Sequence, residues 1–215
     1  MSTYIAIEGV IGVGKTTLAR LLQKQFQADL LLEVFEENPF LSSFYEDRQR
    51  FAFQTQIFFL LSRYHQQREA VPAILENGQH LISDYTFAKD ALFARINLEG
   101  DELDMYYRVH EALAEKIPLP QLIVYLRADT EVLMQRIAKR DRPYERNMET
   151  SYIQTVNEAY EDFFNNYYRG VPVLPINTDD IDIVSNENHL AQVQQSIQQA
   201  LAEAPRQPQL PLNGS

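Results

Sequence analysis

The chain of 215 residues is 45% hydrophobic and carries a formal net charge of −11, which fits one globular domain with a sizeable core. An acidic chain argues against nucleic acid as a partner, because nucleic-acid-binding proteins present basic surfaces. The absence of cysteine excludes disulfides, thiolate catalysis and cysteine-ligated metals. The first residues lack a signal-peptide pattern, and the longest apolar run, residues 57–61, is too short to cross a bilayer. We therefore expect a soluble, cytoplasmic protein with no membrane partner.

Short apolar runs alternate with helical stretches along the chain, which predicts an α/β fold of three layers with a parallel sheet of about five strands. The predicted strands are residues 4–7, 30–32, 81–83, 122–126 and 173–176. The predicted helices are residues 16–26, 50–75, 103–115, 130–139 and 150–168. Residues 1–203 are expected to form a single domain, and residues 204–215 a flexible C-terminal tail. In such a sheet, ligands bind beyond the carboxyl ends of the strands.

A glycine-rich stretch with a lysine, IEGVIGVGKTT, follows the first predicted strand and opens the first predicted helix. Its two outer glycines, Gly9 and Gly14, and the Lys15-Thr16 pair have the spacing of a phosphate loop. The glycines let backbone N–H groups converge on phosphate oxygens, Lys15 neutralises the β and γ oxygens, and the Thr16 hydroxyl is a ligand for Mg²⁺. The residues predicted to bind ATP are Gly9, Val10, Ile11, Gly12, Val13, Gly14, Lys15, Thr16 and Thr17.

Two carboxylates follow the next two predicted strands. Glu33 ends the second strand in LLLEVFEENPF, a position that suits a general base for a hydroxyl nucleophile. Asp84 ends the third strand in LISDYTFAKD, where it would either ligate Mg²⁺ or act as the base itself. The next cationic residue after Glu33 is Arg48, and this lack of a nearby arginine argues against an acceptor that already carries a phosphate. The sequence leaves open which of the two carboxylates accepts the proton.

A basic segment, QRIAKRDRPYER, follows the fourth predicted strand. Arg136 and Arg140 share one face of a helix, and Arg142 lies just before Pro143, which should end that helix. Three guanidinium groups on a short segment suit a lid, at about residues 136–146, that closes over the transferring phosphoryl group and excludes water. We expect all three arginines to act in catalysis.

Five stretches together resemble the deoxyribonucleoside kinase family: EGVIGVGKTT, EVFEENPF, FQTQIFFLLSR, SDYTFAKD and RIAKRDRPYE. The resemblance covers about residues 4–168 and is strongest to the bacterial deoxyguanosine and deoxyadenosine kinases. It implies the P-loop nucleoside/nucleotide kinase fold and transfer of the γ-phosphoryl group of ATP to the 5′-hydroxyl of a deoxynucleoside. It also implies a homodimer packed through helices, which agrees with the nearly uniform apolar character of residues 51–64.

The same resemblance implies which residues hold the nucleoside. Glu33 falls beside the 5′-hydroxyl, and Tyr45 and Glu145 fall where the family contacts the sugar 3′-hydroxyl. The positions that hydrogen-bond the base are occupied by Gln56, Arg63 and Asp90. Gln56 and Arg63 are two helical turns apart, so they should face one pocket.

One position departs from the family pattern. Where the family commonly has an arginine after the acid of the third strand, this chain has Tyr85, so a phosphate-facing cation is either missing or supplied from the lid. We expect Tyr85 itself, by its position, to be one of the substrate-binding residues. The resemblance favours deoxyguanosine or deoxyadenosine as the substrate, with Phe53, Phe87 and Phe93 as candidate walls of the base pocket. The alternatives are a thymidylate-like nucleoside monophosphate kinase and a broad-specificity or pyrimidine deoxynucleoside kinase.

Overall fold

The structure, a computed structural model, describes residues 2–204, and the predicted tail at residues 204–215 lies outside them apart from Ala204. Its sheet has five parallel strands in the order β2-β3-β1-β4-β5. The strands are β1 (Tyr4–Gly9), β2 (Ala28–Leu31), β3 (His80–Ser83), β4 (Leu122–Arg127) and β5 (Val173–Asn177). The predicted α/β class and five-stranded parallel sheet are therefore confirmed.

The eight helices of the described residues are α1 (Lys15–Phe26), α2 (Leu41–Glu46), α3 (Arg48–Glu76), α4 (Lys89–Asn97), α5 (Gly100–Ala114), α6 (Thr130–Arg140), α7 (Thr150–Asp162) and α8 (Glu187–Glu203). Short 3₁₀ turns lie at Phe35–Glu37 and Pro143–Glu145, and a π-helical turn at Phe163–Tyr167 extends α7. Five helices match the predicted ones to within a few residues at most ends. Three helices, α2, α4 and α8, were not predicted.

Helices cover both faces of the sheet because its strands are apolar on both sides. In β1, Ile7 packs into the same apolar cluster as Leu18 of α1, whereas Ala6 packs with Val71 of α3. Successive side chains of a strand point to opposite faces, so these contacts place α1 and α3 on opposite sides of the sheet. The predicted three-layer arrangement follows.

The order of the strands brings the predicted site together. β3 lies between β2 and β1, so the segment that follows β3 lies between the segments that follow the other two. The strands are parallel, and their carboxyl ends therefore meet at one edge of the sheet. Asp84 thus lies between Glu33, after β2, and the phosphate loop, after β1.

Within residues 2–204, no helix combines the length and apolar character needed to span a membrane.

Candidate active site

The phosphate loop connects β1 to α1 in a conformation that requires glycine. Gly14 is the N-cap residue of α1 with φ 106°, and a side chain there would be strained although open space surrounds it. Gly9, with φ 142°, approaches the carbonyl oxygen of Leu126 so closely that a Cβ atom would collide with it. The backbone can therefore adopt the curved path by which N–H groups surround an anion at a helix N-terminus.

Lys15 is held by the loop itself. Its Nζ donates to the carbonyl oxygens of Gly9, at 2.7 Å, and Val10, at 3.1 Å. Burial, followed by the nearby ammonium group of Lys89, lowers the pKa of Lys15 to about 8. The lysine is thus a cation without a carboxylate ion-pair partner among the described residues, at the place where a polyphosphate would supply negative charge.

Asp84 connects the phosphate loop to the segment after β2. Its Oδ2 accepts a short hydrogen bond from the Thr16 hydroxyl, and its Oδ1 accepts from the backbone N–H of Glu33 at 2.8 Å. The hydroxyl and carboxylate oxygens of Thr16 and Asp84 therefore meet beside the phosphate loop. Hydroxyl and carboxylate oxygens are ligands that suit Mg²⁺.

Glu33 lies in a buried network with two cations. Its Oε1 accepts from Arg63 Nε at 2.8 Å and also from Arg63 Nη2, while its Oε2 lies 2.7 Å from the Nζ of Lys89. Burial alone would raise the pKa of the Glu33 carboxyl, but Arg63 and Lys89 outweigh it and hold that pKa well below its usual range. The carboxylate, whose side chain is 15% exposed, is therefore ionised at neutral pH.

These contacts correct one expectation from the sequence. No cation lies near Glu33 along the chain, but Arg63 and Lys89, 30 and 56 residues away, both contact it in space. Both cations are already engaged by carboxylates, because Arg63 also forms an ion pair with Asp90. The four side chains carry two positive and two negative charges, so no net positive charge remains beside Glu33.

A cavity adjoins Glu33 and the phosphate loop and is bounded by α2, α3 and the lid segment. Gln56 and Arg63 of α3 both line it, as the helical spacing predicts. Gln56 is a buried residue, and its amide, which faces the cavity, makes no hydrogen bond to any residue between positions 2 and 204. Asp90 is fully buried behind Arg63, and its Oδ2 has no partner in that part of the chain.

Aromatic side chains form a large part of the wall of the cavity. Of the three phenylalanines proposed as walls, Phe93 lines the cavity, whereas Phe53 and Phe87 do not. Further aromatic side chains line it as well: Phe35, Phe44, Tyr45, Phe59, Tyr144, Tyr152 and Tyr160. Tyr45 stacks with Tyr144 at 6.3 Å between ring centroids, which brings the segment after α6 against α2. A flat ring entering the cavity would meet aromatic surfaces on several sides.

The predicted lid segment carries an ion-pair cluster at the mouth of this cavity. Glu145, which is buried, accepts from Arg140 through both of its oxygens, at 2.6 Å from Nη2. Arg142 lies 3.7 Å from the same carboxylate and stacks over the Phe35 ring at 4.2 Å. Arg140, Arg142 and Glu145 all line the cavity.

Arg136 lies apart from that cluster. Its guanidinium donates to the Thr178 hydroxyl at 2.9 Å, to the Thr178 carbonyl at 2.6 Å and to the Val13 carbonyl at 3.4 Å. It therefore connects α6, the phosphate loop and the segment after β5. It lines a second, larger cavity on that side of the loop, together with Lys15 and Thr17.

Tyr85 points away from the phosphate loop. Its ring is fully buried in the apolar cluster with Tyr4 and Val71, and its hydroxyl donates to Gln66 Oε1 at 2.5 Å. The Nζ of Lys89 lies 5.7 Å from the centre of the Tyr85 ring, and its ion-pair partner is Glu33.

Comparison with known proteins identifies the family of this chain. The sequence profile of the deoxynucleoside kinase family matches residues 5–202. The chain belongs to the deoxynucleoside kinase family. Over 193 residues this kinase is 36% identical to a deoxyguanosine kinase of Bacillus subtilis (strain 168), in a match covering 88% of this chain and 93% of that protein. It is 34% identical over 180 residues to a deoxyadenosine kinase of Dictyostelium discoideum, covering 81% and 72% of the two chains.

Structural comparison gives the same fold. A deoxyadenosine kinase from M. mycoides with bound dCTP superposes on this kinase with a TM-score of 0.78 and 25% identity, over 92% of this chain and 100% of that one. The fold is therefore that of the P-loop kinases, as the sequence predicts.

Two charged residues at or beside the candidate site were not predicted from the sequence. Lys89 shows no spacing signal, because its partner Glu33 is distant in sequence. Glu8 is a fully buried acid that accepts from Thr86 N at 2.5 Å, from Gly9 N at 3.2 Å and from the Tyr160 hydroxyl at 3.1 Å. It thereby fixes the start of the phosphate loop against the segment after β3, and the signal for it is a lone acid within an apolar strand.

Proposed function

We propose that this kinase transfers the γ-phosphoryl group of ATP to the 5′-hydroxyl of a purine deoxynucleoside, deoxyguanosine or deoxyadenosine, in nucleotide salvage. The observation that carries the proposal is the placement of an ionised carboxylate, Glu33, between a phosphate loop and an aromatic cavity with a free amide. The phosphate loop suits a polyphosphate, the carboxylate suits a hydroxyl nucleophile, and the aromatic cavity suits a flat heterocycle. We place the reaction in the cytoplasm, where ATP and free nucleosides meet.

The charge balance favours a nucleoside over a nucleoside monophosphate as the acceptor. An acceptor phosphate calls for uncompensated arginine or lysine beside it. Arg63 and Lys89 are the cations next to Glu33, and both are ion-paired with carboxylates. A neutral hydroxyl therefore fits this side of the cavity better than a dianionic phosphate does.

The polar side chains of the base pocket favour a purine base as the ligand. Gln56 offers an amide donor and acceptor to a base edge, and Arg63 offers further donors, while Asp90 holds Arg63 from behind. The relatives named deoxyguanosine and deoxyadenosine kinase support the same class. A second candidate has one observation in its favour: a Bacillus subtilis relative, 30% identical over 89% of this chain, is named deoxyadenosine/deoxycytidine kinase.

The donor phosphates would lie on the phosphate loop, with Lys15 on the β and γ oxygens. Thr16 and Asp84, whose oxygens meet beside the loop, would hold Mg²⁺, directly or through water. When bound, Mg²⁺ neutralises charge on the β- and γ-phosphates. The role of Asp84 as the metal partner leaves Glu33 as the proton acceptor.

In the transfer step, the 5′-oxygen bonds to the γ-phosphorus while the bond from that phosphorus to the ADP oxygen breaks. The hydroxyl proton goes to Glu33. A carboxylate with a low pKa is a weak base, but phosphoryl transfer through a loose transition state needs little bond formation by the nucleophile and relies on positioning. Glu33 therefore acts mainly by orienting the hydroxyl and by accepting its proton as the new bond forms.

The lid arginines would complete the site once ATP is bound. Arg140 and Arg142 stand at the mouth of the cavity and now contact Glu145. In the bound state, the guanidinium of Arg140 would turn toward the transferring phosphoryl group, and Tyr45 and Glu145 would meet the sugar 3′-hydroxyl. Arg136 would act on the other side of the phosphate loop, where its cavity adjoins Lys15 and Thr17.

We also propose that the active form is a homodimer. Residues 51–64 of α3 are mostly apolar, and Leu61 among them is 41% exposed. Met105 of α5, a helix that packs on α3, is 57% exposed. Sedimentation velocity of the purified protein should give twice the mass of one chain, and a monomer at assay concentration would refute this part.

The test of the proposed function is a substrate assay. The enzyme is incubated with Mg²⁺ and ATP and, separately, with deoxyguanosine, deoxyadenosine, deoxycytidine and thymidine, and with dTMP as the competing acceptor. We expect a 5′-monophosphate from a purine deoxynucleoside with the highest kcat/KM. Deoxycytidine or thymidine as the best substrate would refute the purine assignment, and preferred phosphorylation of dTMP would refute the nucleoside kinase assignment itself.

A further inference from the structure

Lys89 is a buried cation at the first residue of α4. Its side chain is 5% exposed, and its Nζ lies 2.7 Å from Glu33 Oε2. Burial of an ammonium group is costly unless a partner compensates it. Glu33 is the carboxylate that does so, and both residues line the cavity beside the phosphate loop.

The local energetics of α4 do not explain a lysine there. The N-terminal turn of a helix carries partial positive charge, so a cation in it is unfavourable and an acid is favourable. Asp90, the next residue, fits that rule, whereas Lys89 opposes it. The reason for Lys89 therefore lies in its contact across the cavity.

The two oxygens of Glu33 are used differently. A carboxylate oxygen has two lone pairs. Arg63 donates to Oε1 through both Nε and Nη2, so the lone pairs of that oxygen are occupied. Oε2 accepts from Lys89, which leaves it one lone pair. The oxygen with room for a hydroxyl proton is therefore the one that Lys89 holds.

We infer that Lys89 is a positioning residue for the phosphoryl transfer, which orients Oε2 of Glu33 toward the nucleophile. The inference rests on the proposed function, because it takes Glu33 as the proton acceptor. Tyr85, next to Asp84, is turned into the apolar cluster, so the cation beside the accepting oxygen comes from α4.

The experiment compares Lys89→Met, Lys89→Gln and Lys89→Arg with the parent enzyme, and uses Lys116→Met, an exposed lysine after α5, as the matched control. The first measurement is the split between kcat and KM for ATP and for the preferred deoxynucleoside. We expect Lys89→Met and Lys89→Gln to lower kcat about 10- to 100-fold with both KM values little changed, and Lys89→Arg to recover most of kcat.

The second measurement repeats the comparison in the Glu33→Gln background. There the further change Lys89→Met should lower kcat by less than about threefold, because Lys89 acts through Oε2 of Glu33 and two residues in one network are not additive. Circular dichroism and thermal melting identify variants that fold, and Lys89→Gln replaces Lys89→Met if the latter does not.

An unchanged kcat in a folded Lys89→Met or Lys89→Gln variant would overturn the inference. Equal losses from Lys89→Met in the parent enzyme and in Glu33→Gln would overturn it as well, because Lys89 would then act independently of Glu33. A parent enzyme without nucleoside kinase activity would contradict the proposed function instead, and the two failures are thereby distinguished.

Discussion

The acceptor side and the donor side of the site differ in how their charges are held. On the acceptor side, Glu33 is fixed by Arg63 and Lys89, and every charge there has a partner of opposite sign. On the donor side, Lys15 contacts backbone carbonyls and Arg140 contacts Glu145. The acceptor side is thus assembled in advance, whereas the donor cations must leave protein groups to meet ATP. Substitutions on the two sides should therefore differ in their effects on kcat and on the binding of ATP and nucleoside.

The largest effect is expected on the donor side, from Lys15→Ala. The loss of a cation at the β- and γ-phosphates should lower kcat by about 10³–10⁵-fold, the range seen for cations that contact a transferring phosphoryl group. The circular dichroism spectrum should be unchanged, because Lys15 contributes only two hydrogen bonds to backbone carbonyls. Lys24→Ala on the same helix is the matched control, and near-normal turnover in Lys15→Ala would contradict the phosphate-loop assignment.

On the acceptor side, Glu33→Gln retains the shape of the side chain but cannot take the proton. We expect kcat to fall by about 10²–10⁴-fold with KM for ATP little changed. Glu37→Gln, an exposed acid in the same segment, should behave as the parent enzyme. If Asp84→Asn shows this pattern and Glu33→Gln does not, the base and metal roles of the two carboxylates must be exchanged.

The interlocked acceptor network makes a prediction for Asp90. Asp90→Ala removes one of the two carboxylates that hold Arg63 and leaves that buried guanidinium partly unpaired. kcat/KM for the preferred purine should fall by about 10–200-fold, while binding of ATP measured without nucleoside stays the same. Asp104→Ala, on the exposed face of α5, is the control, and equal losses for all four deoxynucleosides would argue against a role in base selection.

A smaller effect is expected at the lid. Arg140→Lys keeps the positive charge but loses the planar fork that now engages both oxygens of Glu145. We expect kcat to fall about tenfold, more than the affinity for ATP falls. Arg146→Lys tests a guanidinium of the same segment that pairs with the exposed Asp141. An unchanged kcat in Arg140→Ala would contradict a catalytic role for the lid and would indicate that this end of α6 is only a solvated basic surface.

The smallest expected effect is the uptake of a proton by Lys15 when ATP binds. Because the pKa of Lys15 is lowered to about 8, much of this lysine is neutral in the ligand-free enzyme at pH 8.5. The triphosphate favours the charged form, so binding of ATP at that pH should take up roughly half a proton or more. At pH 6.5 the lysine is already charged and contributes no uptake. Calorimetry in two buffers of different ionisation enthalpy measures the difference, and Lys15→Arg, which is always charged, should show none from this position.

The sequence predicted those parts of the site that depend on spacing and topology. Gly9, Lys15 and Thr16 follow a fixed local pattern, and Glu33 and Asp84 follow strands whose carboxyl ends must meet. The site role of Lys89 could not be predicted, because its ion pair joins residues 56 positions apart. The direction of Arg136 also depends on tertiary contacts, since the helix face it shares with Arg140 does not fix the partner of a long side chain.

The same dependence on tertiary contacts explains why the start of β2 was misplaced and why α4 and α8 were not predicted. β2 begins at Ala28 rather than at residue 30, because it is an edge strand whose exposed Asp29 interrupts the apolar run. α8 is rich in glutamine and buries only Val193 and Ile197 fully, so its apolar stripe is narrow. The short α4 has little periodicity of its own, and its position is determined by packing on α3 and α7.

The most direct test of the account is the position of the phosphoryl group in the product. The enzyme is given Mg²⁺, γ-labelled ATP and either deoxyguanosine or 2′,5′-dideoxyguanosine, which lacks the 5′-hydroxyl, and the products are identified by ³¹P NMR and chromatography. We expect label on the 5′-oxygen of deoxyguanosine, none on the dideoxy analogue, and loss of the product in Glu33→Gln. Label on the 3′-oxygen or in free phosphate, at the same rate with both nucleosides, would contradict it.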